Sequence, residues 1–197
     1  MTKHKRGPWA VHSIETRFQN PWISVQDHAV TQPDGSPGQY GVVSFANMAV
    51  GVLPIDADGH IWMVGQHRFP HDAYSWELPE GGGPKHEDPL IAAKRELSEE
   101  TGLTASHWHP LAEFDLSNSV TDEVSACFLA WGLTEGTATP EPSEDLAVKR
   151  IPFSVLLDDV HAGRIRDSLT IIMALAADST ARRGALPEEV AALILAK

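Results

Sequence analysis

Gly81 to Leu103 reads Gly-Gly-Gly-Pro-Lys-His-Glu-Asp-Pro-Leu-Ile-Ala-Ala-Lys-Arg-Glu-Leu-Ser-Glu-Glu-Thr-Gly-Leu. A glycine turn leads into a helix with a dense acidic face and a glycine stop. Asp88 suits the N-cap and Pro89 the first helical position. Gly102 suits the residue just past the helix end. Leu90, Ala93 and Leu97 recur at spacings of three and four and form a narrow apolar stripe. At about 100° per residue, Glu96 and Glu100 lie nearly above one another, with Glu99 to one side. Three carboxylates this close repel one another, so a solvated face gains little from them. Hard divalent cations such as Mg²⁺ are held by carboxylate and carbonyl oxygens, which gives the cluster a purpose. On these three residues alone, a solvated face built from a good helix former accounts for them as well.

Composition narrows the choices. A chain of 197 residues suits one domain, or one with a small appendage. Hydrophobic residues make up 42%, enough for a real core. The net charge of -12, from 27 acidic against 15 basic residues, argues against a nucleic-acid polymer or an anionic membrane as partner. A small phosphorylated ligand is not excluded, because a metal and a few arginines meet its charge locally. Cys127 is the only cysteine, so neither an intrachain disulfide nor a cysteine zinc site can form. The basic start Thr2-Lys3-His4-Lys5-Arg6 is not followed by an apolar run, and no stretch approaches the roughly 20 apolar residues of a membrane span. The expected compartment is the cytoplasm.

Upstream of the acidic helix, Trp9–Ile14, Trp22–Val30 and Gln39–Phe45 read as three strands, too small a meander to stand alone. Ala46–Ile55, the turn Asp56–Gly59 and Ile61–His67 read as a hairpin, followed by a short strand from Tyr74 to Leu78. Downstream, His107–Leu116, Glu123–Leu133 and Ala147–Ile151 are further strands. Gly136–Asp145 reads as a mobile loop of the kind that brings functional groups to a ligand. Helices are expected from near Ser154, from Asp167 or Ser168 through Ala177, and from Pro187 to near Leu195. Strands interleaved with a few helices give an α/β fold, mixed sheets sandwiched by helices. The glycine run fits neither a dinucleotide fingerprint nor a P-loop.

The wider spacing sharpens this reading. Gly81, five residues, Glu87, seven residues, then Arg95-Glu96-Leu97-Ser98-Glu99-Glu100-Thr101-Gly102-Leu103 specifies nine positions over 23 residues. This resembles, position for position, the signature of the Nudix hydrolases, which cleave a nucleoside diphosphate linked to another group. Gln66-His67-Arg68-Phe69-Pro70, Trp76-Glu77-Leu78-Pro79-Glu80-Gly81 and the late acidic loop are similar to the ADP-ribose and nucleoside-diphosphate-sugar pyrophosphatase branch.

The resemblance implies a Nudix-like α/β/α sandwich (residues 46–197) with a small N-terminal β-strand extension (residues 1–45) that serves dimerisation and base binding. It implies a Mg²⁺-dependent pyrophosphatase acting on phosphorus-containing anhydrides, with Mn²⁺ as a substitute ion, a dinucleotide or nucleotide-sugar substrate, and a homodimer. Carried over, Glu96, Glu99 and Glu100 would hold the metal together with the carbonyl of Glu80. Arg68 would contact the diphosphate, and Glu123 would face the ligand or the partner subunit. The general base would be a loop glutamate, Glu144 first and Glu141 second. Phe18 and Trp22 are candidates to stack on the base, with core or dimer packing as the alternative. ADP-ribose-specific members typically carry a proline near the position of Ser119; its absence leaves GDP-mannose and other sugars open. The other readings are a nucleoside triphosphate cleanup enzyme and a non-catalytic nucleotide-binding module of the same fold.

Overall fold

A computed structural model describes residues 4–142 and 145–196. By contact the chain divides into two compact units, 1–48 with 115–124, and 49–114 with 125–197.

The N-terminal unit is one antiparallel sheet of β1 (His4–Arg6), β2 (Trp9–Gln19), β3 (Ile23–Thr31) and β4 (Pro37–Phe45), in sequence order. The expected three strands are present, β2 and β4 longer and β3 shifted by one residue, with β1 added as a short return pairing Arg6 with Trp9. Asn20 fixes the first turn, its side-chain oxygen accepting from the N–H groups of Trp22 and Ile23. Two register shifts bend β2 where it runs along β3. The 115–124 segment joins this unit through a bond from Val43 N–H to the Val120 carbonyl and one from Phe45 N–H to Asp122.

The larger unit contains two sheets. One has the order β8 (Glu80–Pro84), β5 (Asn47–Pro54), β10 (Val124–Glu135), β9 (Leu103–Asp115); the other is β11 (Ala147–Pro152), β6 (His60–Arg68), β7 (Ala73–Glu77). This corrects the expected hairpin. β5 and β6 share only the bridge between Ile55 and Ile61, and they lie in different sheets. β5 instead pairs in parallel with β10, Val50 opposite Ala126. The reason is visible in burial: Val50, Val52, Leu53 and Ile55 are all fully buried, the continuous apolar pattern of an interior strand with both faces covered.

Among the described residues four α-helices complete the α/β/α sandwich: α1 (Pro89–Thr101), α2 (Phe153–His161), α3 (Ser168–Arg182) and α4 (Glu188–Leu195). α1 starts and stops where the spacing predicts. The Asp88 side chain accepts from Leu90 N–H at 3.0 Å, Pro89 is the first helical residue, and Gly102 takes the left-handed conformation. α3 packs over β5 so closely that a Cβ on Gly51 would lie 2.7 Å from the Met173 methyl. No helix among the described residues is long and apolar enough to cross a membrane.

Candidate active site

The glycine run is not a turn. Gly81, Gly82 and Gly83 lie in β8 with ordinary φ angles, and what they provide is room. A Cβ on Gly81 would lie 2.3 Å from the carboxyl carbon of Glu96, so only glycine lets the α1 carboxylate press against this strand. The backbone N–H of Glu80 donates to Glu100 Oε2 at 3.1 Å, and Glu100 is 2% exposed. Arg95 ties the remaining acids together. Its Nη2 donates to the Gly82 carbonyl at 2.7 Å and to Glu96 at 2.9 Å, and it lies 3.6 Å from both Glu87 and Glu99. Burial works against the Arg95 charge, yet Glu96, Glu99 and Glu87 together raise its pKa. The structure therefore brings Glu80, Glu96, Glu99 and Glu100 to one junction of β8 and α1.

A second set of acids meets beside it. Arg68, at the end of β6, clamps Glu77 through Nε at 3.0 and 3.1 Å and through Nη2, which also reaches Glu80 at 2.8 Å. Asp167 completes the set, because oxygens of Glu77, Glu80 and Asp167 all lie within 4.8 Å of one another. Asp167 is placed by its role as the α3 N-cap, accepting from Thr170 N–H at 2.7 Å. Thr170 Oγ1 in turn accepts from Leu78 N–H at 2.8 Å, locking α3 to the chain just after Glu77. Burial, then Asp167 and Glu77, push the Glu80 carboxyl well above the ordinary range, with Arg68 opposing them. Burial also opposes the Arg68 charge, but Glu77 and Glu80 outweigh it and raise its pKa.

Glu80 Oε2 is buried and has no hydrogen-bond donor facing it. One arginine against three carboxylates leaves an excess of negative charge, and the candidate ligand atoms are all carboxylate oxygens. This donor set fits a hard divalent cation.

Neither Glu77 nor Asp167 stands out in the sequence as a site residue. Glu77 is a charge in a strand otherwise read as short and structural, and Asp167 reads only as a helix cap. Residues 77, 80 and 167 share no local spacing; sheet pairing and the α3 start bring them together.

The remaining candidates fall elsewhere. Glu141 is exposed, two residues beyond Thr139, whose N–H donates to the carbonyl of Glu99 at 2.9 Å. That bond ties the root of the late loop to the last turn of α1. Glu144 lies outside the described residues. Glu123 is half-buried in the N-terminal unit, its carbonyl accepting from Leu116 N–H at 3.1 Å. Trp22 and Phe18, also in that unit, are 69% and 52% exposed, so neither serves as core.

Comparison with known proteins matches residues 46–169 to the NUDIX domain. The chain belongs to the Nudix hydrolase superfamily. Residues 9–43 match the nucleoside diphosphate sugar hydrolase N-terminal domain. The chain is 34% identical over 172 residues to an ADP-ribose pyrophosphatase of Mycobacterium tuberculosis, covering 83% of this chain and 80% of that one. It is 31% identical over 160 residues to a methanol dehydrogenase activator of Bacillus methanolicus, covering 80% and 86%. A solved ADP compounds hydrolase shares the fold with a TM-score of 0.80 at 18% identity, over 93% of this chain and all of that one. Family membership and the acidic cluster make this Nudix protein an enzyme of the pyrophosphatase type.

Proposed function

We propose that this Nudix enzyme hydrolyses the pyrophosphate of ADP-ribose or of a nucleoside diphosphate sugar, releasing a nucleoside monophosphate and a sugar phosphate. The observation that carries this reading is the order of the two family matches: a sugar-hydrolase N-terminal domain over residues 9–43, then the NUDIX domain over 46–169. The ADP-ribose pyrophosphatase relative supports the same substrate class. Ser119, standing where ADP-ribose-specific members typically have proline, keeps other nucleotide sugars within that class.

In this reading Glu96, Glu99, Glu100 and the carbonyl of Glu80 hold Mg²⁺, with Mn²⁺ as a substitute. Such an ion neutralises phosphate oxygens and makes water a better nucleophile. Arg68 contacts the diphosphate with its open face, and Arg95 keeps the glutamates of α1 in orientation. A carboxylate oxygen of Glu144, or failing it Glu141, takes the proton of the attacking water. The extension over residues 1–45 joins two copies in a cytoplasmic homodimer and offers Trp22 and Phe18 to the base, with Glu123 facing the ligand or the partner.

The test is a panel of ADP-ribose, GDP-mannose, UDP-glucose, NADH and nucleoside triphosphates, with products separated to show which bond broke. Cleavage between the two phosphates of ADP-ribose or a nucleotide sugar is expected. A preference for triphosphates would reject the assignment, and light scattering would check the dimer.

A further inference from the structure

We propose that Glu77 is a positioning residue for the substrate's diphosphate, holding Arg68 so that a single guanidinium nitrogen, Nη1, is presented to it. The inference rests on the reading above in which Arg68 contacts the diphosphate. Arg68 ends β6 and pairs with Ala73, whereas Glu77 stands further along β7, opposite Val64. Arg68, Gln66 and Val64 alternate on β6 and share one face of the pair with Ala73, Ser75 and Glu77. The guanidinium bonded to Glu77 is therefore laid back along β7, away from the hairpin tip at Phe69–His71. Glu77 itself is 2% exposed. Its backbone is fixed by the pairing with Val64 and by the bond from Leu78 N–H to Thr170 Oγ1.

The donors already in use decide what Arg68 can still offer. A guanidinium carries its N–H groups in one plane: one on Nε and two on each Nη. Nε donates to both oxygens of Glu77, at 3.0 and 3.1 Å. Nη2 donates to Glu77 and, at 2.8 Å, to Glu80, so both of its N–H groups are spent and it cannot join a two-pronged grip on a phosphate. Nη1 keeps both of its own. It has no partner among the described residues and is not a buried atom. The Arg68 side chain is 36% exposed, so the pair has a dry end at Glu77 and a wet end at Nη1. A buried glutamate must have its charge met, and the side-on pairing that meets it also takes away the rotamer freedom of the arginine. A phosphate arriving at Nη1 finds the donor in place, so the cost of ordering a long side chain is not subtracted from binding. Both Glu77 oxygens accept from Arg68, so loss of this carboxylate should act on the affinity for the nucleotide and not on that for the metal.

The test is steady-state kinetics of the full-length protein for Glu77→Gln, Arg68→Lys and the double variant, with melting curves to show that each is folded. It is run on whichever member of the panel is cleaved best, which keeps its outcome separate from the substrate assignment. Glu77→Gln is expected to raise KM about tenfold, to change kcat by less than about threefold, and to leave the Mg²⁺ concentration for half-maximal rate unchanged. Arg68→Lys keeps the charge but not the planar fork and should raise KM by a similar factor. Adding Glu77→Gln to it should raise KM by less than about twofold more, because the glutamate acts only through the arginine. Should Glu77→Gln fail to fold, Glu77→Asp draws the charge back by one methylene and is expected to raise KM likewise. If Arg68→Lys raises KM and the Glu77 variants do not, the positioning role is overturned while the diphosphate contact survives. A shifted Mg²⁺ requirement in Glu77→Gln, or effects of the two substitutions that simply multiply, would also overturn it. An unchanged KM in Arg68→Lys would reject the diphosphate contact itself, and this inference with it.

Discussion

The backbone N–H of Glu80 and the carboxylate of Glu100 lie 3.1 Å apart, and this bond joins the strand that opens on Glu80, a carboxylate partner of Arg68, to the helix that carries the acidic motif. Replacing Glu100 with glutamine keeps an oxygen able to accept from Glu80 but removes the charge. Glu100→Gln should therefore lower turnover with Mg²⁺ by about 10²-fold or more, while the melting temperature stays within a few degrees of wild type. Near-wild-type kcat at saturating Mg²⁺ would remove Glu100 from the metal set.

Gly81→Ala tests whether the glycine run exists for close approach. The added methyl would sit 2.3 Å from the Glu96 carboxyl carbon, in a strand whose φ angles alanine adopts freely. The strain is thus steric and local. We expect a loss of about 1–3 kcal/mol, the usual cost of overpacking, and weaker metal binding. Chemical denaturation and a Mg²⁺ titration would measure the two effects. A variant as stable and as active as wild type would show that Glu96 need not press against β8.

The buried acids predict an unusual pH response. Glu80 has its folded pKa raised well above 4.5 by burial and by Asp167 and Glu77. A raised folded pKa means that its contribution to stability is fully present below the unfolded pKa and is lost as pH rises through the folded one. In chelator, wild type should lose stability relative to Glu80→Gln as pH climbs above 4.5, and Mg²⁺ held nearby by the α1 glutamates should oppose that loss by favouring the charged carboxylate. Parallel melting curves of the two proteins from pH 4 to 8 would check this; superimposable slopes would count against it.

Cys127 should be inert in the native state. Burial, then the charges of Glu80 and Asp167, push its thiol up to about 12, and the residue is 1% exposed. Iodoacetamide at pH 8 should label it only after denaturation. Rapid labelling of the folded enzyme would mean that β10 opens locally.

What could be read from the sequence was what depends on neighbours along the chain. The cap at Asp88, the stop at Gly102 and the phase of Glu96 and Glu100 follow from helical geometry, and the structure has them as expected. Glu87 and Arg95, two positions of the same signature, lie 3.6 Å apart. Local pattern was misleading where partners were distant. Two apolar runs around Asp56–Gly59 look like a hairpin, yet the nearly complete burial of β5 comes from a parallel neighbour far along the chain and from α3 above it. The glycines read as a turn because their real constraint, the Glu96 carboxylate, arrives from the next element. Glu77 and Asp167 read only as a strand residue of a family-like run and as a helix cap for the same reason: their meeting depends on tertiary structure alone.

Parallel pairing of β5 with β10 also has a temporal consequence. Val50 finds Ala126 only after the whole acidic helix has been made, and Asp167 is later still. Long-range pairings close slowly and cannot precede their second strand. On a ribosome, then, the signature glutamates emerge several seconds ahead of Asp167, the third carboxylate of the cluster, at about 5–20 residues per second.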